Sequence, residues 1–291
     1  MRRRTFISGV SRAAGVAAGL TIARHTGLRA APLPEEPARN RLRSVGLELY
    51  AVREPMRANP ERTLADVKAM GYDYVELLWS FDNFGRTPAQ VKATLANVGL
   101  RAPSAHIAPE ILLDNWERRL DDARLLGHEY LIVPSLPAET DKSLDGWKKW
   151  ADHFNTAGAT ARKAGVWLAF HNEPGHQAPL DGQIPYEVFV ARTDPRFVRL
   201  QLDVGNLTMG GGDPMSYLTR YRDRYFSFHV KDVTADRTHD VELGRGTIDF
   251  RKFLAAIPGL AGKPVYVEQE GTEGAMDAAR RNCTYIKALD F

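Results

Sequence analysis

From Ser44 onward the chain alternates between two hydrophobic rhythms. Short runs of apolar and β-branched residues recur, separated by longer stretches with apolar residues three and four apart. The short runs predict strands and the longer stretches predict helices. Eight strands are expected: Ser44–Tyr50, Tyr74–Trp79, Leu100–His106, Tyr130–Val133, Val166–Phe170, Val198–Asp203, Phe226–Val233 and Pro264–Glu268. Helix signals fall between them. Asn59-Pro60 supplies a cap and a first-turn proline, and Thr87-Pro88-Ala89-Gln90 is a capping box; Asp114-Asn115-Trp116-Glu117 repeats that pattern. Later helices are expected over 143–163, 186–191, 250–256 and 275–288, with another opened by Asp213-Pro214. Eight βα units in about 250 residues predict an α/β protein, a (β/α)8 TIM barrel, with 43–291 as its single domain. An open doubly wound sheet is the rival. No Gly-x-Gly-x-x-Gly follows the first strand, and Gly210-Gly211-Gly212 lacks the Lys-Ser/Thr of a phosphate loop.

The first thirty residues follow neither rhythm. Arg3-Arg4-Thr5-Phe6-Ile7 resembles a twin-arginine export signal, followed by a weakly apolar Gly/Ala-rich stretch and small residues near Ala30-Ala31. Arg12 and Arg24 bracket too short a run for a membrane span, which needs about 20 residues. Residues 1–30 are therefore expected to be a signal peptide, 31–42 a linker, and the mature chain periplasmic or otherwise exported. The segment also sets the charge. Lys and Arg number 39 against 36 Asp and Glu, giving +3. Removing the six arginines of residues 1–30 leaves 33 against 36, or −3. The mature chain thus has no basic excess to favour nucleic acid. The single cysteine, Cys283, excludes an internal disulfide and a thiolate zinc cluster.

Candidate chemistry collects at the strand ends. The third strand ends in His106, the fifth runs into His171 and Glu173, the sixth ends in Asp203, the seventh carries His229 and Lys231, and the eighth ends in Glu268. In a barrel these ends share one rim. Imidazole and carboxylate donors without thiolates suit one divalent ion: Mn2+, Co2+, Zn2+ or Mg2+. Lys231 shares a strand face with His229 and is expected to meet a substrate oxygen, or to pair with Asp203 or Asp232. Arg245 lies between two glycines in reach of the mouth, and Trp79 after the second strand offers a surface on which a sugar can stack. Asp232 points away from that face and is expected in a structural ion pair. Glu48 and Glu76 read as structural carboxylates.

Several short segments together carry a resemblance. Gly46-Leu-Glu-Leu-Tyr-Ala-Val-Arg53, Pro103-Ser-Ala-His106, Phe170-His-Asn-Glu173, Leu202-Asp-Val-Gly-Asn206, His229-Val-Lys-Asp232, Leu243-Gly-Arg-Gly-Thr-Ile-Asp-Phe250 and Val267-Glu-Gln-Glu270 are similar to the sugar phosphate isomerase/epimerase family of xylose-isomerase-like barrels. The resemblance runs from about Arg43 to the C-terminus. It implies a mononuclear metal held by a Glu, Asp, His, Glu quartet on strands five to eight. Asp203, His229 and Glu268 match three positions. At strand five this chain has His171-Asn172-Glu173, and Glu173 is the expected ligand with His171 as base or ligand.

The resemblance implies proton abstraction beside a carbonyl by Glu268 or His171, through a metal-bound enediolate. Return of the proton makes an isomerase or epimerase, which is the leading expectation. Loss of a leaving group instead makes a lyase or dehydratase acting on a keto-sugar or keto-glycoside. A barrel that binds sugar without turnover is a further alternative. A nuclease of the same superfamily is disfavoured, since Asn206 stands where such relatives carry a histidine. The expected partner is a small carbohydrate, with no nucleic acid, no stable membrane insertion, and a homodimer as candidate assembly.

Overall fold

The computed structural model describes residues 40–271 and 273–291. The expected signal peptide and most of the expected linker lie outside the described residues. Eight parallel strands close into a barrel: Gly46–Glu48, Tyr74–Leu78, Arg101–His106, Tyr130–Val133, Trp167–His171, Val198–Asp203, Tyr225–Val230 and Val265–Val267. Each pairs with its sequence neighbour, and the first pairs with the last. No helix among the described residues is long and apolar enough to cross a membrane.

The outer layer follows from amphipathic helices. In Leu144–Lys163, Trp147, Ala151, Phe154, Gly158 and Ala161 recur three and four apart and are buried against the strands. Ser143 caps this helix, its Oγ accepting from Gly146 N at 3.1 Å. Gly158 permits close approach to the loop entering the sixth strand: a Cβ there would lie 2.7 Å from Phe197 O. The Thr87–Gln90 capping box forms as expected. The one at Asp114 does not, because Asn115 takes a left-handed conformation (φ 59°) and bonds the Asp114 carboxylate instead.

The barrel interior changes character along its axis. Its lower end is plugged by Tyr130 stacked on Phe226 with ring centroids 3.5 Å apart, next to Ile132 and Ala169. Ser104, Gln201, Ser227 and Glu76 fill the middle, and His106, His171 and His229 lie close above. This is the direction in which a parallel barrel presents its reactive groups.

Two local features differ from the sequence reading. Val204–Met209 is a helix, capped by Asp203. The seventh strand stops at Val230, and Asp232–Val233 forms a two-residue antiparallel ribbon with Asp240–Val241. The cause is Asp232. Its carboxylate accepts from the backbone N–H groups of Val233, Gly244, Gly246 and Ile248 at 2.9–3.1 Å. These amides, rather than the cation expected from sequence, are its partners.

Candidate metal centre

Parallel register brings the strand ends to one level: Asp203 pairs across with His229, and Val267, one residue before Glu268, pairs with Val230. His171 ends the fifth strand beside them. His171, Asp203, His229 and Glu268 each offer a donor atom within 4.8 Å of the others, and all four are buried. His171 Nε2 lies 3.7 Å from Asp203 Oδ2, and His229 Nδ1 lies 3.8 Å from the same oxygen and 2.6 Å from Glu268 Oε2.

The hydrogen bonding leaves selected lone pairs free. Asp203 Oδ1 accepts from Asn206 N at 2.7 Å, whereas Oδ2 makes no hydrogen bond and faces the Lys231 ammonium in an ion pair. Both ring nitrogens of His171 likewise make no hydrogen bond. A buried polar atom without a partner costs about 1–3 kcal/mol. Two imidazoles and two carboxylates converge here, the His171 nitrogens and Asp203 Oδ2 without hydrogen bonds and His229 Nδ1 bonded to Glu268, a donor set that suits a divalent cation with nitrogen and oxygen preferences. Donors about 2.1 Å from one ion sit roughly 4 Å apart or less, so these side chains need only small shifts.

Glu173, the expected strand-five ligand, lies outside this group. Past His171 the chain turns into the Pro174–Gln177 helical turn. The Glu173 side chain is 34% exposed, Oε2 accepts from Asn206 Nδ2 at 3.0 Å, and Oε1 is 3.6 Å from His171 Nδ1. Asn172, between them, bonds both ways with the Asp203 backbone, tying the fifth strand end to the sixth.

Lys231 is fully buried. Its Nζ meets Asp203 Oδ2 at 3.3 Å, Glu268 Oε1 at 3.2 Å, Glu270 Oε1 at 2.5 Å and Asn206 Oδ1 at 3.0 Å. Burial opposes its charge, but Asp203, Glu268 and Glu270 outweigh burial and raise its pKa well above the ordinary lysine value. Burial likewise opposes the Asp203 charge, and Lys231, His171 and His229 reverse this and lower its pKa. Burial lowers the His171 pKa to about 4, which keeps its ring neutral as a ligand requires.

A polar layer beneath holds the donors in place, and Glu76 is its hub. Glu76 accepts from His229 Nε2 at 2.6 Å, His106 Nε2 at 3.0 Å, Ser104 Oγ at 2.5 Å and Gln201 Nε2 at 3.0 Å. Burial opposes its charge, but His106 and His229 prevail and hold its pKa well below the usual carboxylate range. His106 stacks on His229, with ring centroids 5.4 Å apart. The sequence reading treated Glu76 as merely structural. The signal was an acidic residue inside the apolar strand Tyr74-Val-Glu-Leu-Leu78.

Two expected substrate contacts take other partners. Trp79 is 8% exposed and packs its ring on His128, centroids 5.5 Å apart, because the chain leaving the second strand turns it under the loop. Arg245 pairs with Glu242 at 3.3 Å and its side chain is 70% exposed. The glycines around it serve Asp232 through their amides, which directs Arg245 outward. The cluster meets solvent instead at the partly exposed Glu173 and Glu270.

Comparison with known proteins places this geometry. A family model described as xylose isomerase-like TIM barrel matches residues 64–289. The inosose dehydratase of Lacticaseibacillus casei is 31% identical over 130 residues, covering 39% of this chain and 43% of that enzyme. The match thus spans less than half of that relative's length. The inosose dehydratase of Geobacillus kaustophilus is 25% identical over 227 residues, 68% of this chain and 71% of that enzyme. A sugar phosphate isomerase/epimerase from Parabacteroides distasonis superposes with a TM-score of 0.74 at 23% identity, covering 87% of this chain and 96% of that one. With its closed eight-stranded barrel and a family match over most of its length, the chain belongs to the xylose isomerase-like TIM barrel family.

Proposed function

We propose that the barrel mouth is the active site of a divalent-metal-dependent carbohydrate lyase that removes water from a keto-polyol of the inosose class. The observation that carries this reading is the convergence of His171, Asp203, His229 and Glu268, with Lys231 beside them, in a chain whose curated relatives include inosose dehydratases. The isomerase or epimerase expected from sequence shares the first proton transfer. The relatives' names favour loss of water over return of the proton.

A bound divalent ion supplies Lewis acidity, which makes hydrogen on the carbon beside a carbonyl easier to remove. His171 takes the strand-five ligand position in this reading, leaving Glu173 at the entrance. Glu268 Oε1, the oxygen turned from His229 and toward Lys231, takes the proton. Lys231 holds its ammonium where negative charge develops on the substrate oxygen. In a buried site that interaction is stronger than in water. His106 lines the opposite wall and binds a hydroxyl.

The test is a reaction in deuterated water. Protein loaded with Mn2+ or Co2+ and given an inosose should incorporate deuterium beside the carbonyl and release a product one water lighter. A product of unchanged mass with an inverted or shifted centre would support the isomerase reading. Absence of both exchange and product across a panel of keto-polyols would sink the enzyme reading altogether.

A further inference from the structure

The lower mouth of the barrel, at the end away from the candidate metal centre, is a cleft of about 350 Å³. Its walls are the beginnings of strands. Gln201 and Asp203 point into the barrel, so period-two alternation turns Arg199, on the same strand, inward as well. At about 3.3 Å per residue, Arg199 lies roughly 13 Å below Asp203 along that strand. Phe226 reaches the same level through a bulge. Leu200 pairs with Tyr225 and Gln201 with Ser227, which leaves Phe226 as the extra residue, packed against Ile132 and Ala169. The stacked rings of Tyr130 and Phe226 line the cleft. This is the face of a parallel barrel that ordinarily serves stability, since the chemistry sits at the other end.

The charge there is unbalanced. Among the described residues, Arg199, Arg222, Arg224 and Lys263 line the cleft against one carboxylate, Asp223. The Asp223 side chain is 95% exposed and lies 3.6 Å from Arg222 Nε, so solvent screens most of what it contributes. Glu129, beside Tyr130, is exposed. The cations are held by groups that leave their charge uncancelled. Arg199 Nη1 donates to Asp223 O at 3.0 Å, and its guanidinium lies 4.3 Å from the Trp167 ring centroid, over which Arg162 also sits at 3.7 Å. Lys263 Nζ donates to Tyr225 O at 2.7 Å. Arg224 donates to Val190 O, Thr193 Oγ1 and Val198 O, and its Nε has no hydrogen-bond partner. Burial lowers the Lys263 pKa; Asp223 opposes this, and Arg199 and Arg222 add to the lowering. Like charges crowded into a concavity without matching counter-charge concentrate anions there.

We infer that the lower mouth is a second ligand site, which binds a small phosphomonoester carried on a ring. A phosphomonoester brings close to two negative charges and three strong acceptor oxygens, enough for several cations to share. The planar fork of arginine matches such a group, and Arg199 and Lys263 keep further N–H donors after their bonds to backbone carbonyls. Those carbonyl bonds also fix the two side chains in advance, which reduces the entropy lost on binding. Tyr130 and Phe226 give the ring of the ligand an aromatic floor. Trp167 has two guanidinium groups over its ring already, so it positions Arg199 rather than meeting the ligand. The cleft volume falls within the usual range for small-molecule sites, about 300–1,000 Å³. Its concave shape gathers the cations toward one point, whereas an extended polyanion needs them spread along a face. The inference is independent of the lyase reading, because the two sites stand at opposite ends of the barrel.

The experiment is calorimetric titration of the full metal-loaded chain with phenyl phosphate at low ionic strength. Saturable binding is expected with a Kd below about 1 mM, with inorganic phosphate weaker, benzoate weaker still, and neutral phenol showing no binding. Lys263→Gln should weaken phenyl phosphate by about tenfold or more, as loss of a hydrogen bond to a charged group does. Arg222→Gln, at a side chain 59% exposed, should leave the fold intact and weaken it by about fivefold or more. Tyr130→Leu should reduce phenyl phosphate to the affinity of inorganic phosphate, which itself stays unchanged. Phosphate also ligates divalent metals, so the titration is repeated after chelation, and the affinity should persist. Absence of saturable binding overturns the inference. So does wild-type affinity in both Lys263→Gln and Arg222→Gln, or binding that disappears on chelation, which would place the anion at the metal centre. Equal affinity for phenyl phosphate and phenol would overturn it as well, since the cations would then contribute nothing.

Discussion

His229 donates through Nε2 to Glu76 at 2.6 Å, and its other nitrogen faces Glu268 and Asp203. Glu76 thereby decides which nitrogen of His229 turns toward the candidate metal centre. This is the pattern in which a carboxylate behind a ligating histidine fixes its tautomer and orientation. Glu76→Gln should keep the fold and weaken metal binding by roughly 10–100-fold, as loss of such a partner does. Chelator competition measures this directly. Wild-type affinity in the variant would show that His229 is oriented by other contacts. Glu76→Ala should be worse, because His106, Ser104 and Gln201 also lose a buried acceptor, at about 3–5 kcal/mol in chemical denaturation.

His171 and Glu173 make opposite predictions for metal content. His171→Ala should lose the ion on dialysis, because it removes unpartnered buried nitrogens from the quartet. Glu173→Gln should keep it, since its Oε2 is already taken by Asn206. Elemental analysis of both variants decides the matter. A metal-free Glu173→Gln beside a loaded His171→Ala would restore the assignment expected from sequence.

Asp232 organises the loop after the seventh strand. Asp232→Ala removes the acceptor of four backbone N–H groups and should cost about 2–4 kcal/mol of stability, with faster proteolysis within 234–248. Gly246→Ala should be comparably disruptive, because a Cβ there would fall 2.2 Å from Asp232 Oδ1 and 2.4 Å from Val233 O. Arg245→Ala, between the same residues, should change stability by no more than about 0.5 kcal/mol, as its exposed pair with Glu242 is screened. A large effect there would revive a role for Arg245 at the mouth.

Acid stability should carry the signature of His128. Burial lowers its pKa to about 4, from an unfolded value near 6.5. Its ring donates through Nδ1 to Ala102 O at 2.6 Å and lies against Trp79. Above pH 6.5 both states are neutral and its contribution is fully present. Between about 6.5 and 4 only the unfolded chain binds the proton, so stability falls with pH, by up to about 1.4 kcal/mol per unit. His128→Gln should flatten that part of a plot of unfolding free energy against pH. An unchanged slope would mean that the folded chain can protonate His128.

The alternation of short apolar runs with amphipathic stretches was enough to read the barrel, because its strands are buried on both faces and its helices on one. It also placed His106, His171, Asp203, His229, Lys231 and Glu268 on one rim, since parallel strands all end on the same side. Side-chain direction past a strand end was not readable. Period-two alternation holds only while the chain stays extended. It fails at Glu173, where a helical turn begins, and at Trp79 and Arg245, which lie in loops. The role of Glu76 also depended on closure. Alone on its strand, it is an acidic residue in an apolar run. Only the closed barrel brings Glu76 under His106 and His229. The sequence thus determined which strands end in chemistry. The tertiary structure decided which lone pairs remain free, because that depends on hydrogen-bond partners up to 153 residues away along the chain.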